Sequence, residues 1–381
     1  MRIPTHHSPG RPTWLEIDLS AIAHNFHVAR QTVGPTCGLY PVIKANAYGL
    51  GALPIAKTLT AAGAQGFCVA MVEEAIPLRA GGIDLPIVLL SGFIPGLERQ
   101  VIALDLEPVV FDLDAARRLS HLRASTAPPI PVHVKIDTGM GRVGFDPNQL
   151  PEVIAELQKL PGIRLHSILS HLARADETEG VQTTREQLNR LEQAVAPFRQ
   201  EVRLSLANSA GLLGSPATRL DWVRPGIMLY GASPFYPLRT WQEDHLRPVV
   251  RWLTHVLSIR QVPAGTPLGY GHEFVTRRES RIALLPVGYA DGYGRMLKGR
   301  ARILTHGRSA PVVGRISMDL TLTDVTGIPE VKAGSRVTLL GADGEEFIGI
   351  EEMADWMDTI PYEVLCRFGP RLPRHHLPYI P

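Results

Sequence analysis

Eight short apolar runs between residues 39 and 226 alternate with segments of helical spacing, and this alternation constrains the fold most strongly. The runs are LYPVIK (39–44), GFCVAM (66–71), PIVLLSG (86–92), PVVF (108–111), PVHVKID (131–137), RLHSILSH (164–171), VRLSLAN (202–208) and LDWVRPG (220–226). Strands that are apolar throughout are typical of a parallel sheet covered by helices on both faces. Eight such units predict a closed (β/α)8 barrel of the TIM type, although an open doubly wound sheet would show the same order.

The pattern changes after about residue 240. Segments such as RIALLPVGYA (281–290) and RVTLLG (336–341) are short, rich in β-branched residues and bounded by Gly, Pro and Asp, and one short helix is predicted over 350–358. We therefore predict an α/β chain with two domains. A (β/α)8 barrel covers 12–240, and a mainly antiparallel β domain covers 241–381, which an N-terminal strand within 1–18 can join.

Composition excludes several classes of function. Lys plus Arg number 39 and Asp plus Glu 37, and this net charge of +2 gives no reason to expect nucleic acid. No run approaches the roughly 20 apolar residues needed to span a membrane, and no signal peptide is visible. Three widely spaced cysteines are typical of a reduced, cytoplasmic protein. The 14 histidines show neither H-x-H nor H-E-x-x-H spacing, so no metal site is expected.

Polar residues collect at the ends of the predicted strands, where barrels of this type carry their chemistry. They are Lys44, Asn46 and Tyr48 after the first run, Lys135, Asp137 and Arg142 around the fifth, His171 at the sixth, Asn208 and Ser209 at the seventh, and Arg224 at the eighth. Each alone has an ordinary structural explanation, such as a surface lysine or a helix cap. Together they predict an active site at this rim.

A lysine at a strand end, followed by small residues, suits covalent bonding to an aldehyde, and pyridoxal 5'-phosphate (PLP) is the common aldehyde cofactor. Its phosphate needs an anion site, which Ser209 and the backbone N–H groups of Gly226 and Ile227 can provide. Its ring nitrogen needs an Asp or Arg partner, and Arg224 suits this role, with His171 as the group that orients it.

A series of motifs along nearly the whole chain resembles the alanine racemase family, whose members are PLP enzymes built as a barrel plus a β domain. The motifs are VIKANAYGLG, KIDTGMGRVGF, SHLARAD, NSAG, VRPGIMLYG, LGYGHEF, VGYADGY, GRISMD and IPYEVLCRFGPRLPR, in that order. One such motif would be weak evidence, whereas the ordered set is specific. Departures are small: Leu50, Gly269 and Ser317 stand where many members have His, Ser and Cys.

The resemblance implies a role for each matched residue. Lys44 resembles the lysine that carries PLP and serves as one base, and Tyr270 resembles the opposing base, supplied by the partner subunit. Arg224 resembles the partner of the ring nitrogen, with His171 hydrogen-bonded behind it. Lys135 matches a lysine that is carbamylated in many members. The remaining implied contacts are Tyr48, Asn208, Ser209, Gly226, Ile227 and Tyr362 to the cofactor, Arg142 and Met318 to the substrate carboxylate, and Tyr289 and Asp319 at the entry.

The implied activity is interconversion of L- and D-alanine by two bases in a cytoplasmic homodimer with composite sites, supplying D-alanine for bacterial peptidoglycan. A broad-specificity amino-acid racemase of the same family is the nearest alternative. A decarboxylase of the same architecture would carry a cysteine pattern that is absent around Ser317. A non-catalytic PLP carrier would lack the β domain and Tyr270, and a metal hydrolase on the barrel is disfavoured by the histidine spacing.

Overall fold

The structure is a computed structural model that describes residues 11–123 and 127–379. The first ten residues of the predicted N-terminal strand region therefore lie outside the described residues. The domain boundaries given above, 12–240 and 241–381, stay a prediction.

Contacts divide the chain into two compact units. Unit 1 comprises the residues up to Ala21, the short segment Tyr48–Gly51 and the chain from Pro248 onward. Unit 2 comprises Ile22–Ala47 and Ala52–Arg247.

Unit 2 contains a ring of parallel strands. The first strand of the chain, β1 (Thr13–Asp18), belongs to unit 1. The strands of unit 2 follow it: β2 (Gly38–Leu39), β3 (Phe67–Val69), β4 (Ile87–Leu89), β5 (Glu107–Val110), β6 (Ile130–Lys135), β7 (Ile163–Leu169), β8 (Arg203–Ser205) and β9 (Trp222–Val223). Strands β3 to β8 pair in sequence order, and β2 pairs with β9, all in parallel.

Two further sets of backbone contacts close the ring. Val42, just after β2, forms a parallel bridge with Cys68 of β3. On the other side, the Arg224 N–H donates to the Ala207 carbonyl across 3.1 Å, which joins the ends of β9 and β8. The predicted (β/α)8 barrel is thereby confirmed, and the carboxyl ends of all its strands meet at one rim.

Helices follow the strands of the barrel and turn their apolar stripes inward. In the helix Val181–Val195, for example, Leu188, Leu191 and Val195 are buried, as the helical spacing predicts. The helices are Leu19–Val33, Ala52–Ala61, Val72–Ala80, Glu98–Ala103, Leu113–Leu122, Leu150–Gln158, Val181–Val195 and Ser209–Gly214, with 3-10 turns at Pro147–Gln149, Thr178–Gly180, Ala196–Phe198, Pro216–Arg219 and Ile227–Tyr230.

Three hydrogen-bonded polar side chains lie inside the barrel. The His133 ring is buried, with Nε2 at 3.0 Å from a Glu107 carboxylate oxygen and Nδ1 at 2.6 Å from the Ser167 hydroxyl. Burial alone would raise the pKa of Glu107, but the hydrogen bond and charge of His133 bring that pKa below its usual value. His133 thus provides hydrogen-bond partners for both Glu107 and Ser167, as buried polar side chains require.

Unit 1 is built around a mainly antiparallel sheet. Its later strands are β10 (Val250–His255), β11 (Ser258–Val262), β12 (Pro267–Leu268), β13 (Phe274–Val275), β14 (Ser280–Leu285), β15 (Arg302–Thr305), β16 (Arg308–Val313), β17 (Thr321–Asp324), β18 (Arg336–Asp343), β19 (Glu346–Ile348) and β20 (Arg374–Leu377). The order in the sheet is β11-β14-β17-β16-β15-β18-β10-β1-β20, with β19 beside β18, while β12 and β13 pair separately. Strand β1 pairs antiparallel with β10 and parallel with β20.

Two helices, Ile350–Met357 and Pro361–Cys366, belong to unit 1. The sequence predicts the first of them, over 350–358, and misses the second. Short 3-10 turns lie at Tyr270–His272, Tyr289–Asp291 and Arg295–Leu297. Within residues 11–123 and 127–379, no helix combines the length and apolar character needed to cross a membrane.

Strand β10 lies within the sheet of unit 1, and its Leu253 is fully buried opposite Trp14 of β1. We predict that Leu253→Ala destabilises the fold by about 2–5 kcal/mol, because it removes buried methyl groups and leaves a cavity. The measurement is the midpoint of urea unfolding followed by tryptophan fluorescence. Leu257→Ala is the matched control, since Leu257 is 53% exposed, and its effect should stay within about 0.5 kcal/mol. Equal effects of the two substitutions would contradict this prediction.

Candidate active site

The chain leaves the first barrel strand through a strained left-handed turn. After Lys44, the residues Ala45, Asn46, Ala47 and Tyr48 have φ of 52–54°. For residues with a Cβ, this conformation costs roughly 1–2 kcal/mol each, and it is seldom adopted by several residues in succession. Such strain persists only where surrounding contacts hold it, and it is concentrated at functional sites.

Three hydrogen bonds within unit 2 hold this turn. The Ala47 N–H donates to the Ile43 carbonyl across 2.8 Å, and the Ala52 N–H donates to the Asn46 side-chain oxygen across 2.9 Å. The Ala45 N–H donates to the Glu74 carboxylate. The Lys44 side chain is exposed in the single chain, which leaves it accessible to a ligand at the rim.

Lys135 and His171 belong to a group of cationic side chains at the same rim. Burial, together with the nearby charges of Arg224 and Arg142, lowers the pKa of Lys135 to about 7. Burial also lowers the pKa of His171 well below its ordinary value, and the neighbouring charges of Arg224, Lys135, Arg142 and Lys44 act in the same direction. The predicted rim residues of unit 2 are therefore close enough to influence one another electrostatically.

Asp137, an acidic residue whose charge acts on Lys135, is hydrogen-bonded within its own loop. Its carboxylate accepts hydrogen bonds from the backbone N–H groups of residues 139–142, at 2.8–3.2 Å. Burial alone would raise the pKa of Asp137, but the four N–H donors lower it by more. The pKa of Asp137 therefore lies below its usual value. The loop presents Arg142 as an exposed side chain. Because the Asp137 carboxylate is hydrogen-bonded to its own loop and, among the described residues, to none of the rim's cationic side chains, those side chains can bind an external anion.

Arg224 is almost fully buried at the end of the eighth barrel strand. Its guanidinium donates to the Ser205 hydroxyl and, across 2.6 Å, to the Ser170 carbonyl, and its carbon lies 5.4 Å from the centroid of the Trp222 ring. Burial lowers its pKa to about 10, so it remains a cation at neutral pH. The expected hydrogen bond to His171 is absent from the described residues, because these guanidinium N–H groups face a hydroxyl and backbone carbonyls instead.

Ser209 and the segment after Arg224 form a compact group of polar atoms. The Ser209 hydroxyl accepts from the Gly226 N–H across 2.8 Å. Asn208 caps the helix Ser209–Gly214 by accepting from the Gly211 N–H across 2.9 Å. Ile227 begins the 3-10 turn Ile227–Tyr230, so its N–H has no acceptor within that turn. The motifs NSAG and RPGI, separate in sequence, are thus brought together as predicted.

The other predicted site residues lie in unit 1. Tyr270 is 70% exposed between two glycines of positive φ, Gly269 and Gly271. Tyr48 packs near Tyr362, with ring centroids 6.2 Å apart. Burial and the neighbouring Tyr362 raise the pKa of Tyr48.

A buried carboxylate, Asp291, organises the remaining predicted residues. It accepts from Arg11 and from Arg371, the latter across 2.7 and 3.1 Å, and Arg371 also pairs with Asp319 at 2.6 Å. The N–H groups of Tyr289 and Ala290 donate to the carbonyls of Ser317 and Met318, each across 3.1 Å. Tyr289, Met318 and Asp319 therefore form one connected surface of unit 1, and the first two are about half exposed.

Comparison with known proteins places this site in a family. Residues 17–234 match the N-terminal domain of alanine racemase, and residues 249–376 match its C-terminal domain. The alanine racemase of Syntrophobacter fumaroxidans is 44% identical over 360 residues, covering 94% of this chain and 95% of that protein. The chain belongs to the alanine racemase family.

Solved structures of this family have the same fold. The crystal structure of alanine racemase from E. faecalis superposes with a TM-score of 0.91 at 33% identity, covering 99% of this chain and 100% of that one. The structure of alanine racemase from Bartonella henselae, which has covalently bound pyridoxal phosphate, superposes with a TM-score of 0.86 at 33% identity, covering 97% of this chain and 100% of that one.

In the described residues, no group of three or more His, Cys, Asp or Glu side chains is placed to hold a metal ion.

Sequence reasoning missed several residues that build this alanine racemase site. Glu74, Asp291, Ser205 and Trp222 contact site residues or their backbone rather than any external group. Only Trp222 has a local signal, since it lies two residues before Arg224 and so faces the same side of the strand. The other three depend on contacts between distant segments, which spacing does not reveal.

The low pKa of Lys135 predicts how its replacement affects stability. The folded-state value, about 7, lies below the unfolded value of ~10.4, so the unfolded chain binds more protons between these pH values. Lys135 therefore destabilises the fold most at pH 7 and below, and the penalty fades as pH rises to about 10. Lys135→Met should remove it.

The measurement is the difference in urea-unfolding free energy between Lys135→Met and the unmodified chain, without cofactor and in buffers free of carbon dioxide. We expect the stabilisation by Lys135→Met to be greatest at pH 6 and to shrink steadily through pH 8 and 10. A difference independent of pH would show that Lys135 keeps an ordinary pKa in the folded state.

Proposed function

We propose that this chain is a PLP-dependent alanine racemase that interconverts L- and D-alanine with two bases. The observation that carries the proposal is the barrel rim, which combines Lys44 with Arg224, Arg142, Lys135 and the Ser209 group. Relatives that match nearly the whole chain are named alanine racemase, which supports both the reaction and the substrate. The D-alanine would supply bacterial peptidoglycan.

The chemistry of the donor set suits PLP. PLP and alanine together carry a phosphate, a ring oxygen and a carboxylate. The rim offers cations and N–H donors to bind them, and the Asp137 carboxylate there is already hydrogen-bonded to its own loop. We propose that the phosphate binds to the Ser209 hydroxyl and to the backbone N–H groups of Gly226 and Ile227, with Asn208 fixing the turn. The Gly226 N–H would then share its hydrogen bond between the Ser209 hydroxyl and the phosphate. The phosphate contacts implied for Tyr48 and Tyr362 stay a prediction.

When bound, PLP supplies an aldehyde carbon that bonds covalently to an amine and a conjugated ring that accepts electrons as the Cα–H bond breaks. Lys44 would hold the cofactor through its side-chain nitrogen and release that nitrogen when alanine replaces it. The freed Lys44 amine can then remove or return the Cα proton on the face from which it approaches.

Inversion at Cα requires a proton to leave one face and return to the opposite face. A single base would have to reach both faces, whereas two bases on opposite sides need no movement of the substrate. We propose that the partner subunit's Tyr270 is the second base. The exposure of Tyr270 in the single chain supports this assignment, because it leaves the side chain free to reach a second subunit.

Arg224 would contact the ring nitrogen as a permanent hydrogen-bond donor. A guanidinium keeps its proton at neutral pH even when its pKa falls to about 10, so the ring nitrogen would receive a hydrogen bond but no proton. An unprotonated ring withdraws electrons less strongly, which would keep the Cα anion short-lived and disfavour side reactions.

Arg142 would bind the substrate carboxylate, together with the backbone near Met318 of the partner subunit. Lys135, whose pKa is about 7, would be neutral often enough for its nitrogen to bond to carbon dioxide and lose one proton to solvent, and the resulting carbamate would orient Arg142. Tyr289 and Asp319 would line the entry. We propose further that the protein acts in the cytoplasm as a homodimer, which the exposed apolar side chains of unit 1, including Tyr270, Tyr289 and Met318, support.

The first test concerns Lys44. Borohydride treatment of the PLP-bound protein should fix the cofactor on Lys44, detectable by peptide mass spectrometry. Lys44→Ala should abolish this modification and lower racemisation in both directions by at least about 100-fold, since it removes both the attachment point and one base. Deuterium uptake at Cα of alanine in heavy water measures the reaction.

Lys57→Ala is the control, because Lys57 is an exposed lysine on the neighbouring helix Ala52–Ala61. It should keep both the modification at Lys44 and the rate of deuterium uptake. Mass added at another lysine, or full activity of Lys44→Ala, would refute the proposed function.

The second test concerns the origin of Tyr270. Dimers that combine one Lys44→Ala chain with one Tyr270→Phe chain, purified with two affinity tags, should have about half the activity of the unmodified dimer, because one composite site is intact. The reciprocal control combines an unmodified chain with a Lys44→Ala, Tyr270→Phe double variant. Each of its sites lacks one base, so it should be inactive. If Tyr270 served its own subunit, the two results would be reversed.

A further inference from the structure

The turn that follows Lys44 is joined to the next barrel strand by one carboxylate. One oxygen of Glu74 accepts from the Ala45 N–H across 2.7 Å, and the other accepts from the Ala70 N–H across 2.6 Å. Ala45 follows Lys44 directly, whereas Ala70 follows the end of β3. Glu74 lies in the first turn of the helix Val72–Ala80, so a regular element of the barrel carries this bridge.

The position of this bridge matters because the backbone it holds is strained. Ala45 is the first of the consecutive left-handed residues, and its side chain is exposed, so packing does little to fix it. Parallel pairing ends just before, where the Ile43 N–H donates to the Cys68 carbonyl across 2.9 Å. Between that last strand contact and the turn lies Lys44 alone, and the Ala45 N–H is the first backbone group beyond it.

We infer that Glu74 is a positioning residue for Lys44. Its carboxylate holds the backbone on the C-terminal side of Lys44 at a fixed distance from β3, while strand pairing holds the N-terminal side. Fixing both neighbours of Lys44 sets the direction of its Cα–Cβ bond, so Glu74 would act through the backbone rather than by contact with the cofactor or the substrate. This inference rests on the proposed role of Lys44.

The chemistry of the bridge requires a carboxylate. An ionised carboxylate offers acceptor sites on both oxygens, so it can serve two N–H donors at once. A glutamine in the same position has one acceptor oxygen and presents an NH2 group to the second donor. Glu74→Gln therefore breaks one of the two hydrogen bonds with little change in shape, and it should release either Ala45 or Ala70.

The experiment combines amide hydrogen exchange with kinetics, and Glu73→Gln is the matched control. Glu73 is exposed in the same helical turn, so the control removes the same charge. In Glu74→Gln, exchange at the Ala45 or Ala70 amide should accelerate by about tenfold or more. The kcat should fall by about tenfold or more through misplacement of the amine, while KM for alanine stays within about twofold. Glu73→Gln should change none of these quantities by more than about twofold.

A rescue variant separates positioning from a general structural role. Glycine adopts positive φ without steric cost, so Ala45→Gly allows the turn to form without the bridge that Glu74 makes. In the Glu74→Gln background, Ala45→Gly should therefore restore part of the lost kcat. If Glu74→Gln alone does not fold, folding of the double variant supports the inference, and its failure to fold refutes it.

The remaining outcomes are equally decisive. A lower melting temperature with unchanged exchange at Ala45 and Ala70 and unchanged kcat would reduce Glu74 to a helix-capping residue. Faster local exchange with unchanged kcat would also overturn the inference. An unmodified chain without racemase activity would remove the proposed function, and the exchange measurement would still test whether Glu74 holds the turn.

Discussion

The site depends on the parallel direction of strands that close into a ring. Because every strand of the barrel runs the same way, residues as distant in sequence as Lys44, Lys135, His171 and Arg224 follow strand ends at one rim. Closure relies on short pairings, with the Val42–Cys68 bridge on one side and the hydrogen bond from Arg224 to Ala207 on the other. Two of the functional segments, those of Lys44 and Arg224, therefore also complete the ring.

Positive charge at this rim is costly in the absence of a ligand. In the described part of the chain, the hydrogen-bond partners of the buried Arg224 are a hydroxyl and backbone carbonyls and include no carboxylate. Lys135 is buried near two arginines. Burial and the neighbouring cations lower the pKa of Lys135 to about 7 and that of His171 further. Fewer of these groups are therefore charged at the same time, which reduces their mutual repulsion. Proteins commonly accept such instability at functional sites, where an anionic ligand relieves it.

The sequence predicts the architecture correctly, and it names the polar residues at the strand ends, because both follow from local signals. Apolar runs with helical spacing between them identify the barrel, and the residue types at the ends of those runs identify the rim. The sequence predicts less well those features that depend on unusual backbone conformation or on contacts between distant segments. The run 39–44 reads as one strand, and its backbone does hydrogen-bond to neighbouring segments as far as Ile43, but regular strand pairing covers only Gly38–Leu39. The left-handed segment that begins at Ala45 has no such signal in the sequence. Glu74 and Asp291 join segments far apart in sequence, and no periodicity encodes such contacts.

The pairing of β1 has a consequence for the order of biosynthesis. This strand, in which Trp14, Leu15 and Ile17 are buried, leaves the ribosome well before its neighbours β10 and β20, which begin at Val250 and Arg374. At typical elongation rates of 5–20 residues per second, β1 waits on the order of 10–50 s for β10, and longer for β20. All barrel strands are made during that interval. The barrel of unit 2 can therefore form while β1 still lacks both of its partner strands. The apolar side chains of β1 stay exposed during that time, so chaperones can bind this strand.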